Sequence, residues 1–132
     1  MDQYIKKILS ARVYDVSQET PLDLAPNLTS RTGNQISLKR EDLQSVFSFK
    51  CRGAYNRIFN LQAQQPDLRG VVCASAGNHA QGVALAASTL GLHAIIVMPQ
   101  TTPEIKVNSV RGLGGETILH GENCDEAFAC AC

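Results

Sequence analysis

The chain has 132 residues, 44% of them apolar and only 18% charged, with twelve basic residues balancing twelve acidic ones. This composition supports one domain with a real core and excludes a globally disordered chain. It also argues against a strongly electropositive nucleic-acid surface, and no apolar run approaches the ~18 residues of a membrane span.

In chain order, the first ~20 residues predict a short helix, with Asp2 as its cap and Tyr4, Ile5, Ile8 and Leu9 on one face. The Met1-Asp2-Gln3-Tyr4-Ile5 start carries no secretory-signal pattern. Pro21 opens a loop region, and the polar stretch Asn27 to Asn34 ends in a turn-like Thr-Gly-Asn. Ile36 and Leu38 alternate with polar residues as in a short strand.

From Ser48 the pattern is regular. Ser48 is placed to cap a helix to about Gln64, with Ala54, Tyr55, Ile58, Phe59 and Leu61 at helical spacing. Gly70 to Ala74 reads as a buried strand. Asn78 then caps a helix striped by Ala80, Val83, Ala84, Ala87 and Leu90, which Gly91 stops. His93 to Met98 is a second apolar strand, Thr102-Pro103 opens a helix ending near Gly112, and Glu116 to Leu119 is a third strand. Asn123, with Glu126 three residues on, resembles a capping box for a last helix. Apolar strands alternating with amphipathic helices predict an α/β fold, a parallel open sheet with flanking helices and right-handed crossovers. The last helix reaches Cys132 with neither a Gly nor a basic stop signal, so the chain is expected to be a fragment or the product of an interrupted reading frame.

Two constellations carry chemistry. In the first, Lys50 falls in the first turn of a helix, where the macrodipole disfavours an ammonium; a neutral amine is what attack on a carbonyl requires. Position alone is equally that of a solvated surface lysine, the commoner outcome for this residue type. The second is Ser75-Ala76-Gly77-Asn78-His79-Ala80-Gln81-Gly82, between a strand and a helix. Free backbone N–H groups there suit a carboxylate or phosphate, and an ordinary turn with an Asn cap fits as well. Gly112-Leu113-Gly114-Gly115 lacks a third glycine and precedes a strand, so it is no dinucleotide fingerprint. His120, Cys124, Cys130 and Cys132 match no zinc spacing and read as buried thiols beside a histidine, leaving no metal site. The odd cysteine count reads as reduced thiols in a cytoplasmic protein. Glu41 and Asp42 read as salt links or turn caps.

Taken together, Thr20-Pro21-Leu22, Lys39-Arg40-Glu41-Asp42, Ser48 to Tyr55, Ser75 to Gly82, Val97-Met98-Pro99, Ile105-Lys106-Val107 and Gly114-Gly115-Glu116 resemble the N-terminal part of the biosynthetic threonine dehydratases. These are pyridoxal-phosphate enzymes of the tryptophan-synthase-β-like class. The resemblance implies a truncated fold of that class, with residues 1–132 forming the N-terminal part of the catalytic domain. It implies Lys50 as the Schiff-base lysine and the base that takes the substrate α-proton. Phe49 would pack near the cofactor ring and Asn78 would bond its 3′-oxygen. Ser75, Ala76, Gly77, Asn78 and His79 would hold the substrate carboxylate. The implied reaction converts L-threonine to 2-oxobutanoate and ammonia, in a family that forms homo-oligomers. L-Serine is the alternative substrate, for a dehydratase or racemase of the same family. No nucleic acid or membrane partner is implied. The family's glycine-rich phosphate loop, the group facing the pyridine nitrogen and the isoleucine-sensing regulatory domain have no counterpart in these 132 residues. The expectation from a different class is therefore an inactive remnant, with only anion-binding or subunit-pairing capacity.

Overall fold

A computed structural model describes residues 2–132. The chain forms six α-helices and five strands among the described residues: α1 (Asp2–Ser10), β1 (Leu22–Leu24), α2 (Pro26–Thr32), β2 (Ser37–Lys39), α3 (Lys50–Gln64), β3 (Gly70–Ala74), α4 (Asn78–Thr89), β4 (His93–Met98), α5 (Glu104–Gly112), β5 (Glu116–Leu119) and α6 (Cys124–Ala131). Short 3₁₀ turns lie at Val13–Asp15 and Glu41–Leu43.

The regular half of the chain folds as its apolar periodicity predicts. Strands β3, β4 and β5 form a parallel sheet in sequence order, with Gly70 opposite His93 and Ile95 opposite Glu116. Helices α4 and α5 make the two crossovers. The core joins Ala54, Tyr55 and Ile58 of α3 to Ala80, Val83, Ala84 and Ala87 of α4, Ile96 and Met98 of β4, and Val107 and Val110 of α5. Central β4 is covered on both sides, so Ile96 and Met98 are wholly buried. Strand β3 is less buried than predicted. It lies at an edge of the sheet, and Val72 stays 52% exposed.

Three expectations about helix starts shift by a residue. Phe49, not Ser48, is the N-cap of α3, but Ser48 still does capping work: its Oγ accepts the Lys50 N–H at 3.2 Å. Gly77 caps α4, which moves Asn78 into the first helical position. Pro103 caps α5 instead of opening it. The other signals hold. Gly91 adopts φ 68° just past α4. The Asn123 Oδ1 accepts the N–H groups of Asp125 and Glu126, both at 3.0 Å, and Glu126 reaches back to the Glu122 N–H at 2.9 Å.

The N-terminal half departs more. The loop expected after Pro21 contains β1, which pairs antiparallel with β2, and the polar stretch expected as a turn region contains α2. Helix α2 has no buried residue and therefore no apolar stripe to betray it; its signals were Pro26 in the first turn and Gly33, left-handed at φ 68°, at its C-cap. Helix α1 forms where expected, but its apolar face of Tyr4, Ile5, Ile8 and Leu9 is exposed instead of contributing to a core.

Candidate active site

Lys50 is the first residue of α3, and the turn before it is tightly held. Ser48 accepts the Lys50 N–H through Oγ and the Cys51 thiol through its carbonyl, the latter at 3.4 Å. Phe47 sits at φ 54°, the left-handed region, and its N–H donates to the Gln44 carbonyl at 2.8 Å. This reverses the chain into α3. The Lys50 Nζ lies 5.3 Å from the centroid of the exposed Phe49 ring.

The opposing wall comes from the β3–α4 turn. The Ser75 N–H donates to the Val97 carbonyl at 3.0 Å, which fixes the turn to β4. The Ser75 Oγ accepts the Gly77 N–H at 3.3 Å. The first intrahelical bond runs from the Ala80 N–H to the Gly77 carbonyl at 3.0 Å, so the Asn78 and His79 amides precede the helix's own ladder. With Gly77 as cap, the exposed Asn78 side chain is released from the capping role.

Helices α3 and α4 bring the two walls together by a close crossing at Gly82. A Cβ there would lie 3.0 Å from the Lys50 carbonyl oxygen and 3.3 Å from the Cys51 nitrogen, so only glycine fits without displacing the start of α3. The result is a concavity of about 230 Å³ lined by Phe49, Lys50, Gly53, Ala54 and His79. Of the sequence-derived candidates, Lys50, Phe49 and His79 share this concavity, while Ser75, Ala76, Gly77 and Asn78 lie in the turn that carries His79. Partial burial of its ring, then the Lys50 charge, lower the His79 pKa, so this imidazole is neutral at neutral pH. A second, more apolar groove of about 250 Å³ shares Gly53, Ala54 and His79 and runs under Val72 and Cys73. Burial pushes the Cys73 thiol up to about 11.

Sequence reasoning missed the polar cluster behind Lys50. The Arg52 guanidinium forks onto Glu41, Nε to Oε2 at 2.8 Å and Nη2 to Oε1 at 3.0 Å. Glu41 is thus the salt link expected of it, and Asp42 pairs with Arg40 at 2.8 Å. The partner of Glu41 was not legible, because nothing in the Lys39–Asp42 block points to Arg52. The cysteines of α6 correct another expectation: Cys124, Cys130 and Cys132 are exposed thiols, not buried ones.

A strand–turn–helix anion cradle facing a helix-borne lysine defines a class of cofactor enzyme, and comparison with known proteins identifies it. Residues 13–132 match the family model of pyridoxal-phosphate dependent enzymes, and the chain belongs to that family. More particularly, it is 60% identical over 127 residues to the biosynthetic L-threonine dehydratase of Pasteurella multocida, covering 96% of this chain and 25% of that protein. It is 57% identical to the chloroplastic biosynthetic threonine dehydratase 1 of Solanum lycopersicum, covering 98% of this chain and 21% of that protein. The fold superposes on the processed form of threonine deaminase isoform 2 from Solanum lycopersicum with a TM-score of 0.89 and 54% identity, over 98% of this chain and 38% of the other. Against maize serine racemase the TM-score is 0.85 at 35% identity, over 96% of this chain and 39% of the other. The chain spans about a quarter of the length of the curated relatives it matches.

The residues present fit one end of pyridoxal phosphate. Its aldehyde needs a primary amine, its ring an aromatic or apolar wall, and its oxygens N–H donors. Lys50, Phe49 and the start of α4 supply these on one concavity. At about 230 Å³ that concavity is smaller than the ~300 Å³ at which ligand clefts usually begin, as expected of one wall of a site.

Proposed function

We propose that this chain is the N-terminal part of the catalytic domain of a pyridoxal-phosphate dependent threonine dehydratase, which converts L-threonine to 2-oxobutanoate and ammonia. When bound, the cofactor supplies an electron sink for the charge left on Cα. The chain's own residues do the rest. The Lys50 amine anchors the cofactor aldehyde and moves the substrate α-proton. Phe49 walls the ring, and the Asn78 amide bonds the cofactor's ring oxygen. The Ser75–His79 turn holds the substrate carboxylate on the free amides at the start of α4. A neutral His79 beside Lys50 adds no second positive charge there. The phosphate is held by chain beyond these 132 residues, and the longer protein is a homo-oligomer of the cytoplasm, like a bacterial biosynthetic enzyme.

The observation that carries this reading is the placement of Lys50 and the His79 turn across one concavity. The test is to incubate the chain with pyridoxal phosphate, reduce with borohydride and map the modified lysine by peptide mass. Selective modification of Lys50 is expected. Modification scattered over Lys6, Lys7, Lys39 and Lys106 overturns the proposal. Threonine is preferred to serine because identity to the tomato threonine deaminase is 54%, against 35% to maize serine racemase. Faster turnover of serine than threonine by the longer protein overturns that choice.

A further inference from the structure

We infer that Arg52, held by Glu41, is a positioning residue that fixes the first turn of α3 and so aims Lys50 into its concavity; this rests on the reading of Lys50 as the cofactor lysine. The first turn of a helix has no ladder of its own to hold it, and here the N-cap residue, Phe49, offers no side-chain hydrogen bond. Two contacts replace it. One is the Ser48 Oγ on the Lys50 N–H. The other is the Arg52 fork, which leaves the helix two residues after Lys50 and grips Glu41 at both oxygens.

Glu41 is itself held by the fold. It accepts the Thr20 hydroxyl at 2.5 Å and the Gln44 amide at 3.3 Å. Gln44 is 1% exposed, accepts the Gln18 N–H at 3.0 Å and donates to the Gln18 carbonyl at 2.8 Å. Arg52 completes the cluster with its Nη2 on the Gln18 carbonyl at 3.0 Å and its Nη1 on the Ser17 Oγ at 3.3 Å. Three segments distant in sequence, Ser17–Thr20, Glu41–Gln44 and the start of α3, therefore meet at one guanidinium. A bidentate charge-assisted pair is both stronger and more directional than a neutral hydrogen bond. On the opposite side the Lys50 backbone abuts Gly82. The first turn is clamped from both sides, and none of the clamp touches the concavity.

The test compares wild type with Arg52→Gln and the milder Glu41→Gln, using Arg40→Gln as a control that removes a nearby cation not bonded to α3. Amide hydrogen exchange is read for Arg52 to Tyr55 against Ile58 to Gln64, without cofactor. Borohydride trapping by pyridoxal phosphate is read at Lys50 in parallel. Both variants are expected to speed first-turn exchange about tenfold or more while the rest of α3 keeps its protection. Lys50 trapping is expected to fall by a similar factor, with the control at wild-type values. Unchanged first-turn exchange, or equal loss along all of α3, overturns the inference. Should Arg52→Gln fail to fold, Glu41→Gln decides by the same criteria. If wild type shows no preference for Lys50, the functional reading fails by itself, since the exchange comparison needs no cofactor.

Discussion

Replacing Gly82 by alanine tests whether the α3–α4 crossing is as tight as its geometry says. In a helix interior, alanine is favoured over glycine by about 0.5–1 kcal/mol. At Gly53, where a Cβ meets nothing within 4 Å, that gain is realised in full. At Gly82 the added methyl meets the Lys50 carbonyl oxygen at 3.0 Å and its carbonyl carbon at 3.1 Å. Both are backbone atoms of a helix start, unable to swing aside as a side-chain tip does. Forcing a methyl into a packed contact costs about 1–3 kcal/mol, so the net loss is about 1 kcal/mol and the two variants differ by about 2 kcal/mol. For a chain of this size that separates their Tm values by about 6–10 °C. Thermal and urea unfolding of wild type, Gly53→Ala and Gly82→Ala measure the gap. A Gly82→Ala protein as stable as Gly53→Ala would show that the crossing yields freely, and the reasoning that fixes Lys50 against α4 would fail.

Other perturbations follow from the same contacts. Glu41 is held at about 2, mainly by the Arg52 hydrogen bonds, against an ordinary 4.5; because the folded value is depressed, its stabilisation is present above pH ~4.5 and is lost as pH falls toward 2. At ~1.4 kcal/mol per pH unit this is at most about 3 kcal/mol, and about 1–2 kcal/mol after solvent screening; the difference between wild type and Glu41→Gln, followed by urea unfolding from pH 7 to pH 2.5, should shrink accordingly, and a pH-independent difference contradicts it. Phe47→Gly relieves a left-handed residue that costs about 1–2 kcal/mol and, since Phe47 is exposed, should be neutral or stabilising by up to about 1 kcal/mol, whereas Phe47→Val should destabilise. Ile96→Ala, in the covered centre of β4, should cost about 2–5 kcal/mol, while Ile105→Ala on the exposed face of α5 should stay within about 0.5 kcal/mol of wild type; equal costs in denaturant melts would refute the assigned core.

How far the fold was legible depended on where burial dictated sequence. Strands β4 and β5 match their predicted bounds because an alternating sheet and its crossover helices impose period and punctuation together. Helix α2 and strand β1 were lost because neither contributes a buried residue, so no apolar period exists to be read. The helix starts moved by one residue because capping can be shared: Ser48 reaches over Phe49 to serve Lys50, a geometry no residue preference reveals. At the candidate site, Lys50 and the Ser75–His79 turn were visible as local signals. Their approach through Gly82, and the grip of Glu41 on Arg52, are contacts between distant segments and became visible only in three dimensions.

Cys51 adjoins Lys50 and is fully buried, its thiol donating to the Ser48 carbonyl. Desolvation raises its pKa and so withholds the reactive thiolate. The three thiols of α6 stand in solvent. An alkylating reagent therefore consumes those three at once and then waits on the fold. The time until Cys51 reacts is a clock for opening of the turn that carries the lysine, started by the protein itself and readable residue by residue without any engineered probe.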